Sequence, residues 1–194
     1  MRNQIRLGAL VIIAGTLVGC GAKTETWQET TKEQFTPAQA QGLQKAEQAR
    51  EALFNQLKSR LTEAIGAEGP AGAIGVCSDE APRIARAVAQ QFGVEIGRTS
   101  FKTRNPANAP PAWAQRYVDE QTGEPVYLEE TGSGRIAALL PIRMQPECML
   151  CHGPSESIPE DVRGLLKELY PEDQATGFQL GELRGWFHIV AQAG

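Results

Sequence analysis

The stretch Val126-Tyr127-Leu128-Glu129-Glu130-Thr131-Gly132-Ser133-Gly134-Arg135-Ile136-Ala137-Ala138-Leu139-Leu140-Pro141-Ile142 sets two apolar-rich runs on either side of Thr-Gly-Ser-Gly. Runs of this composition around a glycine-containing connection predict a β-hairpin, with strands over 126–130 and 135–142. A hairpin joins antiparallel neighbours, whereas parallel strands need a long crossover. Val94 to Thr99 reads as a strand before it. Leu183 to Ala191 reads as a last strand after it, with Trp186, His188 and Val190 on one face.

Helices surround these strands. Thr36-Pro37 supplies an N-cap and a first-turn proline, and Leu43, Ala46, Leu53, Leu57, Leu61, Ala64 and Ile65 then recur at near-helical spacing up to Gly66. Gly69-Pro70 restarts the chain. A short helix is expected from Pro70 to Cys77, and another from Glu80 to Phe92, stopped by Gly93. Asn105 to Pro111 reads as a loop, and Ala112 to Glu120 and Pro159 to Tyr170 read as helices. Without regular β-α-β alternation, the expected class is α+β: an antiparallel sheet with a long N-terminal helix and flanking helices.

The 194 residues, 41% hydrophobic and 22% charged, fit one domain and exclude a collagen-like or wholly disordered chain. Lys and Arg number 19 against 23 Asp and Glu, and no basic run is interleaved with aromatics, so nucleic acid is not an expected partner.

Arg2 and Arg6 precede an apolar run, Leu7 to Val18, too short to cross a hydrocarbon core of about 30 Å, which reads as a signal peptide. Leu17-Val18-Gly19-Cys20 resembles the lipobox of bacterial lipoproteins. The expected layout is a signal peptide over 1–19, a lipidated polar tether over 20–36 beginning at Cys20, and a globular domain over 37–194. The chain would then sit on the periplasmic side of a membrane, held by its lipid alone. Gly21, where an Asp would mark retention in the inner membrane, favours the outer one.

Cys148-Met149-Leu150-Cys151-His152 is a C-x-x-C-H sequence, the attachment signature of c-type haem. Two thiols three residues apart can reach two vinyl groups on one edge of a macrocycle, and the next residue offers its imidazole to the iron. Export agrees with this reading, because covalent attachment occurs outside the bacterial cytoplasm. The same atoms allow a thiol–disulfide centre, although no β-α-β pattern surrounds the pair. They also allow a Cys3His zinc site from Cys77, Cys148, Cys151 and His152, in which adjacent Cys151 and His152 would have to share one small ion.

Candidates for the second axial position are Cys77, His188, Met144 and Met149. Met149 lies inside the attachment loop, and Met144 lies too close to it in the chain to reach the other face. His188 remains an alternative. Cys77 is favoured, because a free thiol in an exported protein is otherwise a liability.

Further blocks add a family resemblance. They are Ala73-Ile74-Gly75-Val76-Cys77 with Ala81-Pro82, Arg98 to Pro106 with Asn108-Ala109-Pro110, Pro141-Ile142 with Cys148 to Gly153, Tyr170-Pro171 with Asp173 and Ala175 to Phe178, and Gly181 to Gly185. In order and spacing they resemble a family of exported c-type haem-binding domains with a PAS-like fold, found as lone cytochrome-like proteins or as sensor parts of histidine kinases. The resemblance implies one covalent haem c on Cys148 and Cys151, with His152 and Cys77 as axial iron ligands. The chain departs from the family pattern at Pro111, at Glu182 and at His188, and the last keeps a His152/His188 pair open. Among the basic residues of these blocks, Arg98 and Arg104 are the first candidates for haem propionates, since a guanidinium pairs with a carboxylate through two parallel hydrogen bonds.

A His/Cys-ligated haem favours the oxidised state. Loss of Cys77 on reduction would open a coordination position, so redox or gas sensing is expected, with a simple electron-transfer cytochrome as the alternative. Either needs a separate redox partner or signalling protein. No enzymatic activity is expected, because six-coordinate iron leaves no free site.

Overall fold

A computed structural model describes residues 26–194. The expected signal peptide, 1–19, and the lipidation site, Cys20, lie outside the described residues. Among those described, no helix is long and apolar enough to cross a membrane.

The fold is α+β. Five antiparallel strands run in the order β1-β3-β4-β5-β2, with β1 Trp27–Thr30, β2 Val94–Thr99, β3 Val126–Glu130, β4 Ile136–Arg143 and β5 Leu183–Ala191. The hairpin forms as its sequence predicts, with Val126 opposite Leu139 and Glu129 opposite Ile136. β4 and β5 make the central pair, and β2 closes the far edge, with Gly97 opposite His188.

β1 departs from the expected layout. Instead of belonging to a tether over 20–36, Trp27–Thr30 pairs with β3, and Phe35 is buried in the main core against Tyr127. Trp27 stacks obliquely on Trp113 at 6.0 Å between centroids. A four-residue edge strand that is polar except for its Trp carries too little periodicity to stand out; its pairing depends on a partner far along the chain.

Helix α1, Pro37–Gly75, begins at Thr36, whose side chain accepts from the Gln39 amide while Gln39 reaches back to the Thr36 backbone. It passes Gly66, where a stop was expected, and breaks instead at Gly69 (φ 75°, ψ 178°). Pro70 explains the place. A proline bars the residue before it from helical geometry, and glycine accepts the positive φ at no steric cost.

Beyond the break, a π-helical segment, Val76–Glu80, runs directly into α2, Ala81–Phe92, where two separate helices were expected. Pro82 lacks an N–H and would crowd the Ser78 carbonyl in a regular α-helix, so the wider turn relieves both. The remaining helices are α3 Gln115–Asp119, α4 Met149–His152 and α5 Glu160–Leu169.

Alternation along β4 and β5 divides the core. Ile136, Ala138, Leu140, Phe187 and Ile189 face Leu43, Ala46, Ala49, Leu53 and Leu57 of α1 and Val88 of α2. Ala137, Leu139, Trp186 and Val190 face Ala114, Tyr117 and Val118 on the other side. Each large side chain so buried contributes about 1.5–3 kcal/mol.

Candidate functional site

Between α1 and the sheet end formed by β2, β4 and β5 lies a cleft of about 220 Å³. Phe54, Leu57, Leu61 and Ile65 of α1, Ile74 beyond its break, and Phe187 of β5 give it apolar walls. Cys77, Cys148, Cys151 and His152 all line it, together with Arg98, Arg104, Arg184 and Tyr170. Residues far apart in the chain thus meet at one place, as the motif reading expected for Cys77, Cys148, Cys151, His152, Arg98 and Arg104.

The C-x-x-C-H segment is a 3-10 turn, Pro146–Cys148, continuing into α4. It is held from outside by the loop that precedes β5. The Gly177 amide donates to Gly153 O at 2.8 Å, and the Phe178 amide donates to His152 O at 3.0 Å. His152 Nδ1 lies 2.6 Å from Ala175 O. A carbonyl only accepts, so Nδ1 carries the proton and Nε2 is the nitrogen left free to bind a metal. Burial, with Arg184 and Arg104 nearby, holds this imidazole well below its usual pKa and therefore neutral, the state that ligates.

Arg104 is held from two sides. Its Nε donates to Asp173 at 3.1 Å, and its Nη2 donates to the Cys151 carbonyl at 2.6 Å. Asp173 in turn accepts from the Ala175 amide at 2.8 Å. These contacts make Arg104 part of a scaffold linking α4 to the residue that orients His152, while Arg104 also lines the cleft where the propionate role was expected of it. The cause is burial: a guanidinium this enclosed needs a fixed counter-charge.

Arg98 differs. Among the described residues it forms no hydrogen bond or ion pair, and burial lowers its pKa against the opposing pull of Cys77 and Tyr170. Arg184 donates through Nη1 to Ser100 Oγ at 2.9 Å and Lys102 O at 3.2 Å, while its Nε is buried without a partner. Burial, then Arg104 and Arg98, push it down to about 10. A buried Arg184 Nε without a partner, with the Arg98 guanidinium in the same cleft, fits an anionic ligand.

The thiols are poorly suited to free thiol chemistry. Cys77, Cys148 and Cys151 are unpaired. Burial raises Cys148, and burial pushes Cys151 up to about 11, the opposite of what a reactive dithiol requires. Among the described residues, no three His, Cys, Asp or Glu side chains stand close enough to hold one ion, as a Cys3His zinc site would demand.

His188 is not brought to this cleft. It stands over Gly97, where an added Cβ would come within 2.4 Å of its Nε2, on the sheet face that carries Trp186 and Val190. The cleft lies on the Phe187 face, so the His152/His188 pair has no geometric basis here. Met144 is buried beside Ala175 and Phe178, and Met149 packs against the same cluster. Asp173 and Ala175 stand in the blocks that carry the resemblance, but sequence reasoning missed their roles. The latter acts through a backbone carbonyl, which leaves no mark on residue type.

The family model Tll0287-like (Tll0287) matches residues 28–191, and the chain belongs to that family. The crystal structure of the cyanobacterial haem protein Tll0287 shares the fold, with a TM-score of 0.57 and 22% sequence identity, covering 81% of this chain and 96% of that one. No curated protein matches the chain.

Proposed function

We propose that this chain carries one haem c, bound by thioethers at Cys148 and Cys151 and ligated by His152 and Cys77, and that it works as a redox or gas sensor. The observation that carries the reading is the hydrogen bond from His152 Nδ1 to Ala175 O at 2.6 Å, which presents a neutral, oriented imidazole in the cleft that Cys77, Cys148 and Cys151 also line. Membership of the Tll0287-like family, and the haem protein that shares the fold, support it.

When bound, haem supplies a one-electron couple and, where an axial position opens, a place for a small gas. The chain's own contribution is asymmetric. On the His152 side, Ala175, Asp173 and Arg104 form a buried network that fixes the imidazole. Cys77, by contrast, sits in a π-helical segment, an irregular turn of the kind frequent at functional sites. One fixed and one releasable ligand is what a sensor needs. An electron-transfer cytochrome would hold both rigidly.

Apolar walls receive the macrocycle, and Arg98, with Arg184 Nε, is suited to the propionates. The raised thiols weigh against a dithiol redox centre, and the spread of the donors weighs against zinc. Acylation at Cys20 would hold the domain to the periplasmic side of the outer membrane, with a separate redox or signalling protein as partner.

Ferric and ferrous absorption spectra of wild type, Cys77→Ala and His188→Ala, with carbon monoxide added to each reduced protein, test the reading. The expectation is a thiolate-ligated ferric spectrum lost only in Cys77→Ala, and carbon monoxide binding by the reduced wild type. Reduced protein that keeps Cys77 bound and refuses the gas contradicts sensing and leaves an electron carrier.

A further inference from the structure

Cys77 is the releasable ligand in the reading above, and the structure shows what holds its segment in place. The break at Gly69 turns the chain back along α1, so residues 70–80 lie against the helix they have just left. On the side facing α5, Ile74 packs with Ile158, Val162, Leu166 and Tyr170. On the side facing α1, the buried contacts are small: Ala64, Ala73 and Val76, with Leu61 and Ile65 at the margin. Gly72 and Gly75 bring no side chain, and a polar crevice of about 300 Å³ remains there, lined by Arg60, Ala64, Glu68, Gly72, Gly75 and Glu80.

Across this crevice Arg60 forks onto Glu80, with Nε to Oε2 at 2.8 Å and Nη2 to Oε1 at 3.0 Å. The remaining nitrogen, Nη1, meets Glu63 on α1 itself. Ser78 Oγ turns inward to Gly75 O and also meets the Tyr170 side chain, while Glu80 supplies the side-chain hydrogen bonds that cross the crevice to Arg60, on the part of α1 before its break. Two parallel N–H···O bonds fix orientation as well as distance, which a single contact to Lys does not. The apolar contacts on this side are limited to Ala64, Ala73 and Val76 with Leu61 and Ile65 at the margin, so the fork adds a directional tie that helps set where the π-helical turn, and Cys77 within it, stands relative to α1.

We infer that Arg60, acting through Glu80, is a positioning residue for Cys77, setting how readily that ligand leaves. The inference rests on Cys77 being an axial ligand. In the fully haem-loaded protein, Glu80→Gln and Arg60→Met remove the fork, Arg60→Lys keeps the charge without it, and Glu63→Gln leaves it intact. The readout is the rate at which the dithionite-reduced protein combines with carbon monoxide, beside the intensity of thiolate absorption in the ferric state. Circular dichroism and haem content confirm that each variant is folded and loaded.

Removing the fork should speed carbon monoxide binding by about two- to fivefold, the range to which the free energy of an exposed ion pair converts, with Arg60→Lys between and Glu63→Gln at the wild-type rate. Thiolate absorption in wild type, together with wild-type rates in Glu80→Gln and Arg60→Met, overturns the positioning role alone. Wild type without thiolate absorption overturns the ligation reading, and this inference with it, so the two failures are told apart by the wild-type ferric spectrum.

Discussion

Arg104 and Asp173 form an ion pair at 3.1 Å with side chains only 8% and 10% exposed, and the same guanidinium donates to the carbonyl of Cys151. This pair joins the loop after β2, helix α4 and the loop before β5. Removing one member leaves a buried charge without its partner. Asp173→Ala or Arg104→Leu should therefore destabilise the protein by about 3–5 kcal/mol. Arg104→Lys should fall short of wild type as well, since it cannot reach Asp173 and Cys151 together. Urea unfolding of the four proteins checks this; a loss under about 1 kcal/mol in Asp173→Ala, the value of a surface pair, contradicts it.

His188 gives a pH dependence of known sign. Burial pushes it down to about 4 from 6.5, so the folded chain binds a proton there less readily than the unfolded one. The stability it contributes is complete above pH 6.5 and is lost as pH falls towards 4. The shift corresponds to on the order of 3 kcal/mol. The stability of wild type minus that of His188→Gln should fall by about that amount between pH 7 and pH 4. A difference that stays flat across this window shows that the imidazole is not desolvated as its position over Gly97 implies.

Gly185 marks where β5 crosses under the loop after β2. Its φ is 155°, and a Cβ there would stand 2.2 Å from the Thr99 carbonyl oxygen. It lies opposite Ile142, beside a register shift between β4 and β5, and it lines the cleft. Gly185→Ala should cost on the order of 3 kcal/mol, because backbone strain and a clash with fixed backbone add. Gly164 in α5 is the contrast, since a Cβ there meets nothing within 4 Å. Gly164→Ala should stabilise by about 0.4–1 kcal/mol. Thermal or urea melts of the two variants decide; the same sign in both contradicts the account.

The elements with strong local signals were legible in the sequence. The hairpin around Thr131–Gly134 and the N-cap at Thr36 appear as read, because turn and capping chemistry belong to the residues themselves. What needed tertiary information was not legible. β1 is a strand because β3 offers it an edge. The π-helical turn at Val76–Glu80 follows from a proline that could equally have ended one helix and begun another. At the site, the C-x-x-C-H segment stood out in the sequence, and both it and Arg98 line the cleft. The period-2 pattern did set His188 with Trp186 and Val190, but which face of the sheet the cleft would occupy depends on where α1 packs. Arg104 was visible as a basic residue, and Asp173, which occupies it, lies 69 positions away.

Covalent haem on Cys148 and Cys151 is the claim on which the rest depends. The most direct test is the mass of the intact, fully denatured chain after export and co-expression with a haem-attachment system, measured for wild type and for Cys148→Ala/Cys151→Ala. The account predicts that wild type retains the added mass of a single haem after unfolding and that the double variant does not. A wild-type chain at the mass of the bare polypeptide, with any haem released on denaturation, contradicts it.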